Sequence, residues 1–161
     1  MIQDIYPHVL RNEYESKKPT DEDIVIWFDK NKILIKESGS TLEFPTIEEI
    51  GDENKEFRYL FSLDDKSYFL ILDEMKNIKR LRWEDFTNIR HMGPRHMTLA
   101  AATARQLSRW YDVNRFCGRC AHKLFHDDNE RMLKCPSCGN HIYPKIAPAV
   151  IVGVIEIGRA S

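Results

Sequence analysis

The 161-residue chain lacks any apolar stretch long enough to cross a bilayer. The longest candidate, residues 149–157, is nine residues, whereas a spanning helix needs about 20. It lacks an opening segment with an apolar core, so residues 1–22, polar and broken by Pro7 and Pro19, do not read as a secretory leader. A reducing cytoplasmic setting and no membrane partner are therefore expected. Charge of one sign is missing too: 24 Lys and Arg stand against 25 Asp and Glu. That balance argues against a protein that coats nucleic acid by charge alone. Internal repeats and low-complexity linkers are absent, and cysteine is scarce, at four residues.

Those four cysteines organise the chain. They stand as Cys117-Gly118-Arg119-Cys120 and, fourteen residues later, Cys135-Pro136-Ser137-Cys138. Two residues between thiols let a tight turn aim both sulfurs at one ion, and two such turns complete a tetrahedron. Disulfides are the alternative, but a reducing compartment disfavours them. The spacing therefore predicts a structural Zn(2+) held by Cys117, Cys120, Cys135 and Cys138. Between the pairs, residues 122–126 and 130–134 flank the polar turn Asp127-Asp128-Asn129, and residues 140–143 offer a third short strand. This is a zinc ribbon. With so small a core, metal binding supplies most of its folding free energy. Four thiolates close the coordination shell, so His122, His126 and His141 are expected to be ordinary ribbon residues.

Before the ribbon, residues 24–28 and 32–36 form β-type runs around Asp29-Lys30-Asn31, and residues 57–63 and 67–72 do so around Asp64-Asp65-Lys66. Two hairpins are expected. Thr46 with Glu49 three residues on has the pattern of a capping box. Residues 84–90 suggest a short helix. A longer one is expected from about Pro94 to Val113, with Met97, Ala101, Ala104, Leu107 and Tyr111 on its apolar face. Arg105, Gln106 and Arg109 lie off that face. After the ribbon, residues 149–157 read as a strand buried on both faces. The chain thus reads as α+β, with an N-terminal hairpin-and-helix domain at 1–113, a zinc ribbon at 114–144 and a lone strand within 145–161. Charge is uneven along it. Residues 114–148 carry six Lys and Arg against three Asp and Glu, which reads first as a solvated ribbon surface.

Arg115-Phe116-Cys117-Gly118-Arg119-Cys120, Cys135-Pro136-Ser137-Cys138-Gly139 and the segment from Ile142-Tyr143-Pro144 to Ile151 together resemble the NADH pyrophosphatases of the Nudix hydrolase superfamily. In that family an α/β domain precedes a zinc ribbon, and a tyrosine-proline segment leads into the first Nudix strand. The resemblance implies hydrolysis of NAD(H) to a mononucleotide and AMP, removal of NAD caps from RNA, and a homodimer. It also implies Mg(2+) or Mn(2+) held by the carboxylates of the Nudix box, G-x5-E-x7-R-E-x-x-E-E-x-G. That box is absent from these 161 residues. The nearest string, Glu48-Glu49-Ile50-Gly51, has Phe44 and Pro45 where the box needs Arg-Glu. No catalytic residue is assigned, and these residues on their own are expected to be inactive.

By the same resemblance Tyr143 matches a tyrosine that stacks on a base of the dinucleotide, and Glu130 an acidic ribbon position linked to substrate. A packed ribbon tyrosine and a solvated strand charge are the plain readings of those two positions. One departure stands at Ala121, where the family usually has glycine and where a left-handed turn costs alanine roughly 1–2 kcal/mol. A second functional reading is a stand-alone zinc-ribbon module that binds RNA or protein through Arg115, Arg119, Lys123, Arg131, Lys134 and Lys145. A third, an active enzyme using Asp127, Asp128 and Glu130, is disfavoured because metal sites need ligands held by supporting structure.

Overall fold

The computed structural model describes residues 3–37, 41–51, 55–73, 78, 80–145, 150 and 152. The run Ile24-Val25-Ile26-Trp27-Phe28 dictates the centre of the molecule. Its alternate residues face opposite ways and both sets are apolar, so the strand must be covered on both sides. It forms β2 (Ile24–Asp29), which turns at Lys30, with φ 49°, into β3 (Lys32–Lys36). The second expected hairpin is β4 (Phe57–Leu63) with β5 (Lys66–Ile71), turning at Asp64 with φ 53°. The two hairpins are joined edge to edge by a parallel pairing of β2 with β5. β1 (Leu10–Arg11) adds outside β4, and β6 (Leu81–Asp85) outside β3. Among the described residues the sheet order is β1-β4-β5-β2-β3-β6.

One face carries Ile26, Ile33, Ile35 and Leu70, all 1% exposed or less, against the helix α3 (Arg95–Val113). Ala100, Ala101 and Ala104 of α3 are fully buried, and their small side chains let the helix lie close to the strands. The opposite face carries Val25, Trp27, Leu34 and Ile71 with the short helix α1 (Ile47–Ile50). The capping box forms as read: Thr46 Oγ1 accepts the Glu49 N–H, and the Glu49 carboxylate accepts the Thr46 N–H at 2.8 Å. Pro94 is the N-cap of α3, and the expected apolar stripe is buried except for Met97, which is half-buried.

The short helix expected over 84–90 starts later. Glu84 and Asp85 continue β6 opposite Ile33 and Lys32. Asp85 then accepts the Thr87 N–H at 2.9 Å and opens a 3₁₀ turn that leads into α2 (Ile89–Met92). Side-chain capping by Asp85, not the propensity of the segment, sets that boundary. The ribbon is α3's continuation and comprises β7 (Phe125–His126), β8 (Leu133–Lys134) and β9 (His141–Ile142), an antiparallel sheet in that order. The strand expected over 149–157 lies outside the described residues, save for Val150 and Val152. No helix among the described residues is long and apolar enough to cross a membrane.

Candidate functional site

The two cysteine pairs fold as near copies of one another. In the first, the Ala121 N–H donates to Cys117 O at 2.8 Å and the Cys117 N–H to His122 O at 2.8 Å. In the second, the Gly139 N–H donates to Cys135 O at 3.0 Å and the Cys135 N–H to Asn140 O at 2.9 Å. Both turns close through a left-handed residue, Ala121 at φ 62° and Gly139 at φ 69°. The departure at Ala121 leaves the turn's shape intact and places alanine in the left-handed region.

The turns bring all four sulfurs within 4.8 Å of one another. Cys117 Sγ lies 3.6 Å from Cys138 Sγ, and Cys120 Sγ lies 3.4 Å from both Cys135 Sγ and Cys138 Sγ. A tetrahedral site with metal–sulfur bonds of about 2.3 Å separates its sulfurs by about 3.8 Å. The observed spacing fits that geometry and is far too long for disulfides, and all four cysteines are free. Cys117 Sγ accepts the Arg119 N–H at 3.4 Å and the Asn140 side-chain amide at 3.7 Å. The Arg119 N–H leads the effects that hold the Cys117 thiol down at about 6. Cys138 goes the other way, to about 12: the Asn140 N–H lowers it, but the Cys120, Cys135 and Cys117 sulfurs and burial raise it more. Four sulfurs this close cannot all ionise without a cation among them. The donor set therefore fits a structural Zn(2+) closed on all sides by thiolate.

Tyr143 follows β9 and is 47% exposed; Glu130 lies in the turn between β7 and β8. The Tyr143 hydroxyl donates to Glu130 Oε2 at 2.8 Å, and this bond raises the tyrosine's pKa. The two positions singled out separately in the sequence thus form one exposed contact. Asp127 spends Oδ1 on the Asn129 and Glu130 N–H groups at 2.9 and 3.2 Å. It shapes the turn, and among the described residues only the four cysteines form a group with metal-ligand geometry. His122 contacts Cys120 O, while His126 lies against the rings of Tyr14 and Tyr111.

What the sequence left unseen is how the ribbon is fixed to the sheet. Leu124, Leu133, Cys117 and Cys135 belong to the same buried cluster as the α3 side of the sheet. Register slips in β4 between Tyr59 and Phe61, so Leu60 is the extra residue of a bulge. A bulge frees backbone groups from the ladder, and the Arg131 guanidinium donates to the Leu60 carbonyl. The same guanidinium donates to Asn12 O and Asn12 Oδ1, each at 3.0 Å, and lies 5.9 Å from the Tyr14 ring. Burial leads the effects that lower its pKa. Of the six basic residues proposed as an RNA or protein surface, Arg131 is thus committed to the junction and Arg115 is paired with Asp112. Among the described residues the side chains of the other four make no ion pair.

Residues 112–143 match the NADH pyrophosphatase zinc ribbon domain. The chain is 34% identical over 85 residues to the NAD-capped RNA hydrolase NudC of Pseudomonas aeruginosa strain LESB58, covering 53% of this chain and 31% of that protein. It is 26% identical over 132 residues to the protein of that name from Stutzerimonas stutzeri, covering 76% and 45%. For Chromobacterium violaceum the figures are 42% over 66 residues, covering 41% and 24%. The chain therefore spans less than half the length of these relatives. The ribbon that carries the four clustered sulfurs is the part matched by the domain model, and on it the chain is similar to the NADH pyrophosphatases.

Proposed function

We propose that these 161 residues are the N-terminal and zinc-ribbon part of an NAD(H) diphosphatase, an enzyme that splits NADH to a mononucleotide and AMP and removes NAD caps from RNA. Residues 1–113 form its N-terminal α+β domain and 114–144 its ribbon. Cys117, Cys120, Cys135 and Cys138 hold a structural Zn(2+), which supplies folding free energy rather than chemistry because no coordination position is left for water or substrate. Tyr143 offers an aromatic face for a base of the dinucleotide, and stacking of this kind is worth about 1–3 kcal/mol. Glu130 fixes the direction of the phenol by accepting its hydrogen bond. The reading extends to a cytoplasmic homodimer that uses Mg(2+) or Mn(2+) on Nudix-box carboxylates. These 161 residues hold no such box, so on their own they bind without turning over.

The observation that carries this reading is the Tyr143–Glu130 contact, on the exposed face of a ribbon matched to the family through residue 143. It is tested by titrating NADH into the zinc-loaded chain, with a parallel assay for AMP release in Mn(2+). Weak NADH binding that Tyr143→Ala abolishes, without AMP release, is expected. Release of AMP would overturn the inactivity. An RNA affinity that falls steeply with salt and ignores both the NAD cap and Tyr143→Ala would replace the reading with the stand-alone ribbon module.

A further inference from the structure

Between the ribbon and the N-terminal sheet runs a cleft of about 1190 Å³, and neither Tyr143 nor Glu130 lines it. Its volume is somewhat above the range of sites that take small organic ligands, roughly 300–1,000 Å³. One wall is α3, which presents Arg105 and Arg109 one turn apart. Among the described residues neither makes an ion pair. Arg105 is laid over the rings of Phe28 and Phe86, at 5.1 and 5.7 Å, while Arg109 is exposed. Like charges at this spacing on a helix repel, and Asp112 on the same helix, already paired with Arg115, offsets this only in part, so an added anion would relieve the pair.

The ribbon also lines the cleft, and there Phe116 and Phe125 are 64% and 56% exposed. Lys123, in a backbone bridge with Phe116, stands beside them. Two exposed aromatic rings and two guanidiniums without an ion pair among the described residues, lining one cleft, match a ligand that is aromatic at one end and anionic at the other. Length is limited by the rest of the lining. Asp29, Glu56, Asp73 and Asp112 also face the cleft, and Arg58 and Arg115 are already paired with Glu56 and Asp112. A nucleic-acid strand following the cleft would meet all of those carboxylates, whereas a single phosphate on α3 would meet only Asp112, which Arg115 already pairs.

We propose that this cleft binds a nucleoside monophosphate, with its phosphate on Arg105 and Arg109 and its base on Phe116 and Phe125. The site is separate from the Tyr143 contact and does not depend on it. The test is calorimetric titration of the zinc-loaded chain with adenosine 5′-monophosphate, inorganic phosphate, adenosine and a single-stranded RNA oligomer. Adenosine 5′-monophosphate should bind more tightly than phosphate or adenosine alone. Arg109→Gln, at an exposed position that makes no ion pair among the described residues, should weaken it about tenfold, the size of one charge-assisted bond. Phe125→Ser should weaken it comparably. Amide spectra and zinc content establish that each variant is folded, and Arg109→Lys should recover part of the affinity.

Absence of binding at millimolar nucleotide would overturn the proposal. So would affinity that is indifferent to Arg109→Gln, or lost in Tyr143→Ala instead. Phosphate alone binding as tightly as the nucleotide would remove the aromatic half. Tighter binding of the RNA oligomer than of the nucleotide would replace the compact ligand with a strand.

Discussion

The sheet and the ribbon solve the same problem by different means. β2 to β6 are five to seven residues long and enclose Trp27, Phe61 and Phe69 with no exposed surface. The ribbon's strands are two residues each, and its buried side chains are few: Leu124, Met132, Leu133, Cys117 and Cys135. Burial of apolar area holds the first, at about 25 cal/mol per Å². The second has too little area and depends on a point of strong bonding between distant parts of its chain. A short segment can therefore be as ordered as a domain core, provided its cross-link survives.

The largest expected effect separates the two. Apparent binding free energies of structural zinc in small fingers are about 10–16 kcal/mol at neutral pH, far more than a ribbon of this size gains from burial. Chelation, or Cys138→Ser, should abolish amide protection in 115–143 while β2 and β5 stay protected by native-state hydrogen exchange. The sheet's melting temperature should fall as well, because Leu124 and Leu133 share its core. Full ribbon protection without metal would erase the contrast between the regions.

The joint between them comes next. The Arg131 side chain donates both to the bulge at Leu60 and to Asn12. Arg131→Met keeps length and apolar stem but leaves the Leu60 carbonyl without its donor. A loss of roughly 2–3 kcal/mol is expected, as for a hydrogen bond to a charged group in a partly buried site. Urea denaturation measures it, and a double-mutant cycle with Asn12→Ala isolates the shared part. A change below about 0.5 kcal/mol would mean that apolar packing alone docks the ribbon.

How much of this was legible follows from sequence distance. The two hairpins, the Thr46–Glu49 box and both cysteine turns are set by residues two to five apart, and the sequence displays them directly. The parallel join of β2 to β5 is not, because residues 24–27 meet 68–71 through pairing that no local pattern encodes. β6 was missed for a related reason: Glu84 and Asp85 are charged, and they are strand residues only because β3 lies beside them. Arg131 read as a surface cation. Its role appears only once the bulge at Leu60, 71 positions away, presents a free carbonyl. Tyr143 and Glu130 came from resemblance, and their mutual contact came from the fold.

A smaller effect compares the two cysteine turns within the ribbon. Ala121 and Gly139 hold the same backbone, at φ 62° and 69°, but only one is glycine. Ala121→Gly should stabilise the zinc-bound ribbon by about 1 kcal/mol, the left-handed penalty less the entropy of the freer unfolded chain. Gly139→Ala should cost about as much. A Cβ there would meet no heavy atom within 4 Å, so the cost is conformational alone. Metal-competition titration reads both. If Ala121→Gly gave nothing, the first turn would be held by its contacts strongly enough to override its dihedral preference.

The smallest effect belongs to the sheet's edge and concerns pH. Asp64 ties β1 to the β4–β5 turn: its carboxylate contacts His8 Nδ1 at 2.8 Å and accepts the Val9 N–H at 2.9 Å. The His8 contact, then the Val9 N–H, holds its pKa below the ordinary value of 3.8. A carboxyl depressed in the folded state contributes stability that is complete above its unfolded value and is lost as pH falls through its folded one. The edge should therefore keep its protection at pH 5 and fray below about 3.8, read from the exchange of the Val9 and Arg11 amides. Asp64→Asn should fray the edge at every pH, though slightly, because the pair is exposed and solvent screens it. The ribbon must yield first on the same acid titration, since zinc leaves as its thiolates are protonated. An edge that opened before the ribbon would reverse the order of the two regions and make the sheet, not the metal site, the acid-sensitive part of the chain.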